Sequence, residues 1–114
     1  MTTTASDLVT KTCAECAAGS ALAPQAAADL LKQVPGWEIA DGTLRRKFKF
    51  KDYHEAVAFV NATAWISHRE NHHPDIELGY NRVTMKYVTH SAGGLTQNDF
   101  ICAAKVNTLV AGNA

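Results

Sequence analysis

A tight-turn signal beside an alternating segment constrains the fold of this chain more than any other feature. Asp41-Gly42 is typical of a two-residue β-hairpin turn, because both residue types tolerate the positive φ angles that such turns require. Apolar and basic side chains alternate in the segment that follows, residues 43–50. One side of it carries Leu44, Arg46, Phe48 and Phe50, and the other carries Arg45, Lys47 and Lys49. This period of two predicts a strand with one face on a core.

Capping signals and periodicity predict the remaining elements. The predicted helices span residues 24–33, 52–71 and 96–111, and the predicted strands span residues 37–40, 43–50, 76–80 and 83–89. Each helix begins at a residue type that favours helix N-termini, namely Pro24, Asp52 and Thr96. The second helix should end near Asn71, because Pro74 disfavours helical geometry at the residue before it.

The order of these elements predicts the fold class. Helix, strand, strand, helix, strand, strand, helix implies two antiparallel hairpins in one sheet. We therefore predict an α+β two-layer sandwich, with a four-stranded antiparallel sheet and three helices packed on one face. Residues 1–23, rich in Thr, Ala and Ser, are predicted to form a loose or weakly helical lead-in, and residues 24–114 a single domain.

Composition excludes several classes of function. The chain has 114 residues, with 11 basic and 11 acidic side chains and a net charge of zero. This balance argues against a general nucleic-acid binder or a binder of anionic membranes, and it is compatible with self-association. No apolar run approaches the roughly 20 residues that cross a bilayer. Residues 1–12 lack the features of a signal peptide, so a cytoplasmic location is expected.

The cysteines give a weaker signal. Cys13 and Cys16 form a CxxC pair, but no second ligand pair follows to complete a structural zinc site. The threonine-rich residues before the pair do not predict the strand that precedes a thioredoxin-type site. We interpret the pair as a plain surface feature, with redox activity or weak metal binding as alternatives. Cys102 is predicted to be a small core residue.

The histidines are the strongest indication of chemistry. His72-His73-Pro74 precedes the third predicted strand, and His90 follows the fourth. Because the start of one antiparallel strand lies beside the end of its neighbour, these imidazoles should meet at one edge of the sheet. Imidazole exchanges protons near neutral pH, so the cluster predicts proton-transfer chemistry or a metal site. Asp99 could orient one imidazole or serve only as a favourable charge at a helix N-terminus.

A metal site is the main alternative for these residues. His68 and His72 have HxxxH spacing and would share a helix face, with His90 as a possible third ligand. However, Arg69 stands where zincin-type hydrolases carry glutamate. The adjacent His72 and His73 would also point apart in extended chain. Proton transfer is therefore favoured.

Several segments together match one known family pattern. They are His68-x-x-x-His72-His73-Pro74, Tyr80-Asn81-Arg82-Val83, Thr89-His90, Gly94-Leu95-Thr96, Asp99-x-x-x-Ala103 and, upstream, Val34-Pro35-Gly36-Trp37. The pattern covers roughly residues 28–110 and resembles that of the pterin-4a-carbinolamine dehydratases. The α+β sandwich of that family agrees with the fold predicted above.

The resemblance implies a hydro-lyase of tetrahydrobiopterin recycling. Its substrate would be 4a-hydroxytetrahydropterin, which aromatic amino-acid hydroxylases produce, and its product quinonoid dihydropterin. One group must take the proton from N5 while another protonates the departing 4a-hydroxyl, which suits imidazoles. The resemblance implies no metal and no organic cofactor.

The resemblance also assigns residues to the site. The catalytic histidines of the family fall on His72, His73 and His90, and we expect His72 and His90 to form the acid–base pair while His73 orients the pterin. Substrate-binding positions fall on Asn71, His72, His73, Val88, Thr89, His90 and Ser91, with His68, Pro74 and Asp99 in support. Asn71 and His68 replace the Asp and Glu that are usual in the family, which is expected to tune the imidazoles.

Two other classes of function stay open. Animal members of the family also bind a homeodomain transcription factor, so an interaction module is one alternative, although an adaptor would not need three placed histidines. A histidine-ligated metal hydrolase is the other, and a chelator would inactivate it. The resemblance further implies a homo-oligomer, either a dimer or a tetramer.

Overall fold

The computed structural model describes residues 5–110 of the chain. The helices are α1 (Ala5–Val9), α2 (Pro24–Leu31), α3 (Tyr53–Glu70) and α4 (Gln97–Val110), and a short 3-10 helix spans His90–Ala92. The strands are β1 (Glu38–Ala40), β2 (Thr43–Lys49), β3 (Asp75–Leu78) and β4 (Arg82–Tyr87). The predicted order is confirmed, with α1 added before it. The predicted helix end at Ala111 lies outside the described residues.

The four strands form one antiparallel sheet in the order β1-β2-β4-β3. Asp41 and Gly42, in the turn between β1 and β2, both have positive φ angles, of 52° and 75°, as the hairpin prediction requires. Leu44 lies opposite Tyr87 and Phe48 opposite Val83, so the apolar positions of β2 and β4 share one face. The predicted α+β class is confirmed.

The core lies between this apolar face and the helices. The buried residues of the sheet are Leu44, Phe48, Val83, Met85 and Tyr87, and those of α4 include Phe100, Ile101, Cys102, Ala103, Ala104 and Val106. Helix α4 is buried on more than one side because it contacts α1, α2 and α3. Within residues 5–110, no helix is long and apolar enough to cross a membrane.

Part of the predicted loose lead-in packs against this core. Helix α1 contacts α4, and the Leu8 side chain is completely buried within the hydrophobic cluster. A five-residue helix is too short to show a helical period, so its position and bounds could not be predicted. The division of the chain at residue 23 stays a prediction, and residues 1–4 of the lead-in lie outside the described part.

Candidate active site

The turn after α3 sets the position of His72. Helix α3 ends at Glu70, and Asn71 adopts the left-handed conformation with φ 51°. Asparagine tolerates this conformation better than most residues, which makes it a suitable helix C-cap. The backbone N–H of His72 then donates to the Ser67 carbonyl at 3.2 Å. The helix therefore ends close to Asn71, as predicted from Pro74. The chain then turns toward the start of α4.

A buried carboxylate holds the His72 ring. His72 Nε2 lies 2.6 Å from Asp99 Oδ1, and the two side chains are 13% and 0% exposed. With Asp99 ionised, the imidazole N–H donates to it in a short charge-assisted hydrogen bond. The ring of His72 also stacks on Tyr87, with 5.7 Å between centroids and 14° between planes. Because Asp99 takes Nε2, Nδ1 is the ring nitrogen that can face a ligand.

The second carboxylate oxygen of Asp99 anchors this pair to the protein. Oδ2 accepts from Thr89 Oγ1 at 3.0 Å and from the backbone N–H of Thr96 at 2.9 Å. The hydroxyls of Thr89 and Thr96 lie 2.8 Å apart, and Thr96 Oγ1 accepts from Asn98 N. Asp99 thus caps the start of α4 and orients an imidazole, so both of the roles considered from the sequence are filled.

A cleft of about 510 Å³ opens beside His72. It is lined by residues 13–16 and by Glu70, Asn71, His72, Thr89, Ser91 and Asn98. Four of the predicted substrate-binding residues, namely Asn71, His72, Thr89 and Ser91, are among these. The volume is within the range of pockets that hold small organic molecules.

The other two predicted catalytic histidines lie outside this lining. His73 and His90 are exposed, and Val88 is half-buried. Asp75 pairs with Lys86 in the β3–β4 ladder, which brings the chain before β3 and the chain after β4 to one end of the sheet. The two segments are therefore neighbours, as the hairpin argument predicts, although only His72 turns into the cleft.

His68 does not line the cleft beside His72. It is exposed on α3 and lies against the ring of Trp65, with 5.7 Å between centroids. Pro74 is half-buried in the turn before β3. Across the described part of the chain, no three His, Cys, Asp or Glu side chains are grouped so that they could hold a metal ion. The HxxxH spacing therefore does not assemble a ligand set here.

Sequence reasoning missed one wall of the cleft, which we call the strap (residues 13–16). The backbone N–H of Cys13 donates to Glu70 Oε1 at 2.8 Å. Ala14 exchanges two hydrogen bonds with the side chain of Asn98, its N–H donating to Oδ1 at 3.1 Å and its carbonyl accepting from Nδ2 at 2.7 Å. These contacts join residues more than 50 positions apart and have no periodic signature, so only the structure reveals them.

Glu70, which binds the strap, also forms an ion pair with Lys105. Glu70 Oε2 lies 3.3 Å from Lys105 Nζ on α4, and the Glu70 side chain is 6% exposed. Burial alone would raise the pKa of Glu70. The hydrogen bond from Cys13 and the nearby Lys105 ammonium outweigh that effect and hold the pKa below its ordinary value of 4.5. Glu70 is therefore a charged anchor for the strap.

Two solved structures resemble the fold of this chain. A transcriptional coactivator/pterin dehydratase from Brucella melitensis superposes with a TM-score of 0.76 at 33% identity, covering 79% of this chain and 98% of that one. A pterin dehydratase-like protein, described as a RuBisCO assembly factor in the alpha-carboxysome, gives a TM-score of 0.54 at 26% identity, covering 64% and 84%. The fold is thus of the pterin dehydratase-like class.

Comparison of sequences then specifies the family. The model of the pterin 4 alpha carbinolamine dehydratase family matches residues 20–109. A provisionally named pterin-4-alpha-carbinolamine dehydratase from Nitrosospira multiformis is 52% identical over 110 residues, which are 96% of this chain and 97% of the relative. The chain belongs to the pterin-4a-carbinolamine dehydratase family, as the resemblance noted from its histidine segments predicts.

Proposed function

We propose that the protein is a hydro-lyase that converts 4a-hydroxytetrahydropterin to quinonoid dihydropterin. The observation that carries the proposal is the His72–Asp99 pair at the cleft, with 2.6 Å between Nε2 and Oδ1. A half-buried imidazole fixed by a buried carboxylate is what general acid–base catalysis requires of a proton acceptor. Family membership supplies the class of substrate.

In the proposed mechanism two imidazoles move the protons. The reaction removes a proton from N5 and a hydroxyl from C4a, and the N5 electron pair forms the new double bond to C4a. His72 and His90 form the acid–base pair, one accepting the N5 proton and the other protonating the leaving hydroxyl. The Asp99 carboxylate stabilises positive charge on His72, which suits His72 to the role of base.

The pterin binds through the segments on either side of this pair. Its ring edge carries amide-like donors and acceptors, and we propose that they pair with backbone groups of residues 71–73 and 88–91 that have no partner within the described part of the protein. Thr89 and Ser91 already line the cleft, and His73 would orient the ring from the adjacent turn. The mechanism assigns no step to a metal or an organic cofactor. We further propose that the protein acts in tetrahydrobiopterin recycling and as a homo-oligomer.

A dehydration assay tests this function. Freshly generated 4a-hydroxytetrahydropterin is followed by absorbance with and without a chelator, and we expect a saturable acceleration that the chelator does not change. His72→Ala and His90→Ala should each lower kcat/KM by about 10²-fold or more. His54→Ala is the matched control, because His54 is exposed at the opposite end of α3.

Three outcomes would contradict the proposal. Full activity in the doubly substituted protein would exclude imidazole catalysis. Activity that a chelator removes and added zinc restores would favour a metal hydrolase instead. A chain without dehydratase activity would leave the interaction-module alternative, which the coactivator and assembly-factor descriptions of the two solved relatives keep open.

A further inference from the structure

Two cysteines that lie far apart in the sequence meet beneath the strap. Cys13 Sγ lies 3.7 Å from Cys102 Sγ. Cys102 is completely buried on α4, and Cys13, which covers it, is half-buried. The sequence suggested a CxxC pair of Cys13 with Cys16, whereas the structure sets Cys13 beside Cys102.

We propose that Cys13 and Cys102 are a thiol modification site that a peroxide converts to a disulfide. The two sulfurs need to approach from 3.7 Å to about 2.05 Å. Cys13 lies in a segment without regular secondary structure, so its backbone can make this adjustment while α4 stays fixed. The proposal rests on the geometry of the thiols and does not depend on the dehydratase function.

Disulfide formation takes two steps, and Cys13 reacts first because it is more exposed than Cys102. The Cys13 thiolate attacks one oxygen of the peroxide and the O–O bond breaks, which leaves a sulfenic acid on Cys13 and releases water after protonation. The Cys102 sulfur then attacks the Cys13 sulfur, the S–O bond breaks, and hydroxide leaves with the Cys102 proton as a second water. The two thiols thus lose two electrons and two protons to hydrogen peroxide.

Cys102 is suited to the second step and not to the first. The hydrogen bond with Cys13 and the burial of Cys102 raise the pKa of the Cys102 thiol. A raised pKa lowers the fraction of reactive thiolate, so Cys102 is the slower of the two thiols toward a peroxide, while its sulfur lies only 3.7 Å from the Cys13 sulfur on which the sulfenic acid forms. Its complete burial also keeps solvent oxidants away from its sulfur.

Cys16 is a poorer partner for Cys13. Its sulfur contacts the Ala14 carbonyl at 3.5 Å and Asn98 Nδ2 at 3.3 Å. A Cys13–Cys102 disulfide would instead join the strap to α4 covalently, beside the existing hydrogen bonds of Ala14 with Asn98. The oxidised protein would thus have one wall of the cleft fixed in place.

Peptide mapping of the full chain tests the site. After stoichiometric hydrogen peroxide and thiol blocking, trypsin should release a cross-link between peptide 12–32, which contains Cys13, and peptide 87–105, which contains Cys102. Cys16→Ser should keep this cross-link and Cys13→Ser should lose it. Both positions are only half-buried, so these variants should fold. Closing so large a loop should raise the Tm by about 10 °C relative to the reduced protein.

Three results would overturn the proposal. They are a disulfide within peptide 12–32 of the unsubstituted protein, a cross-link that persists in Cys13→Ser, and free thiols at both positions after oxidant treatment.

Discussion

At the scale of single residues, Asp99 links structure to chemistry. One of its oxygens holds His72 and the other holds Thr89 and the backbone of Thr96. A carboxylate that is completely buried with several donors around it has little freedom to reorient, so the imidazole it binds is fixed as well. This rigidity is what distinguishes His72 from the exposed histidines of the chain.

Asp99→Asn tests this link between carboxylate and imidazole. The amide keeps the size of the side chain but removes the charge that stabilises protonated His72, so kcat should fall by about 10²-fold or more while KM changes little. Steady-state kinetics separate the two parameters. Asp29→Asn, at an exposed position on α2, is the control and should behave like the unsubstituted protein. Equal kcat in the two variants would remove Asp99 from the mechanism.

At the scale of elements, the strap depends on the charge of Glu70. Because the pKa of Glu70 is held below 4.5, its ionised form stabilises the folded state above that pH. The contribution is lost as the pH falls through the lowered pKa. In thermal melts, Glu70→Gln should therefore lower the Tm at neutral pH, and the difference from the unsubstituted protein should disappear in acid.

An exposed carboxylate on the same strap provides the control for this prediction. Glu15→Gln should follow the unsubstituted protein at every pH, since the Glu15 side chain is exposed. A Tm difference for Glu70→Gln that stays constant as the pH is lowered through the acid range would mean that charge is not the cause.

The predictability of each element depended on whether its signal was local. Alternation in β2 correctly predicted that Leu44 and Phe48 face the core, and Pro74 correctly predicted where α3 ends. Between the predicted strand 83–89 and the predicted helix 96–111, the chain forms the 3-10 helix His90–Ala92, which is too short for a periodic signal. The strap could not be predicted, because Glu70 and Asn98 bind it from distant positions.

At the scale of the whole molecule, the segment before α2 takes part in the hydrophobic core. Leu8→Ala should lower the free energy of unfolding by about 2–5 kcal/mol, because it leaves a cavity at a completely buried position. Urea denaturation measures the loss. Leu109→Ala, at a position that is 39% exposed on α4, is the matched control and should cost much less. Equal losses would mean that α1 does not contribute to the stability of the core.

The packing of distant segments explains why the sequence predicted only part of the site. The histidine segments identified the family, and the hairpin argument brought their chain segments to one end of the sheet. Which imidazole turns inward depends on the left-handed Asn71 and on the position of α4, neither of which leaves a periodic pattern. The cleft could therefore be recognised only from the three-dimensional structure.

We expect a bound pterin to lie among His72, His73 and His90. The most direct measurement is an NMR titration of the five imidazoles with 7,8-dihydropterin, a stable relative of the product. Ring signals of His72, His73 and His90 should shift together and saturate, while those of His54 and His68 stay unchanged. Saturable binding that shifts only His54 or His68, or that shifts no imidazole, would contradict the account.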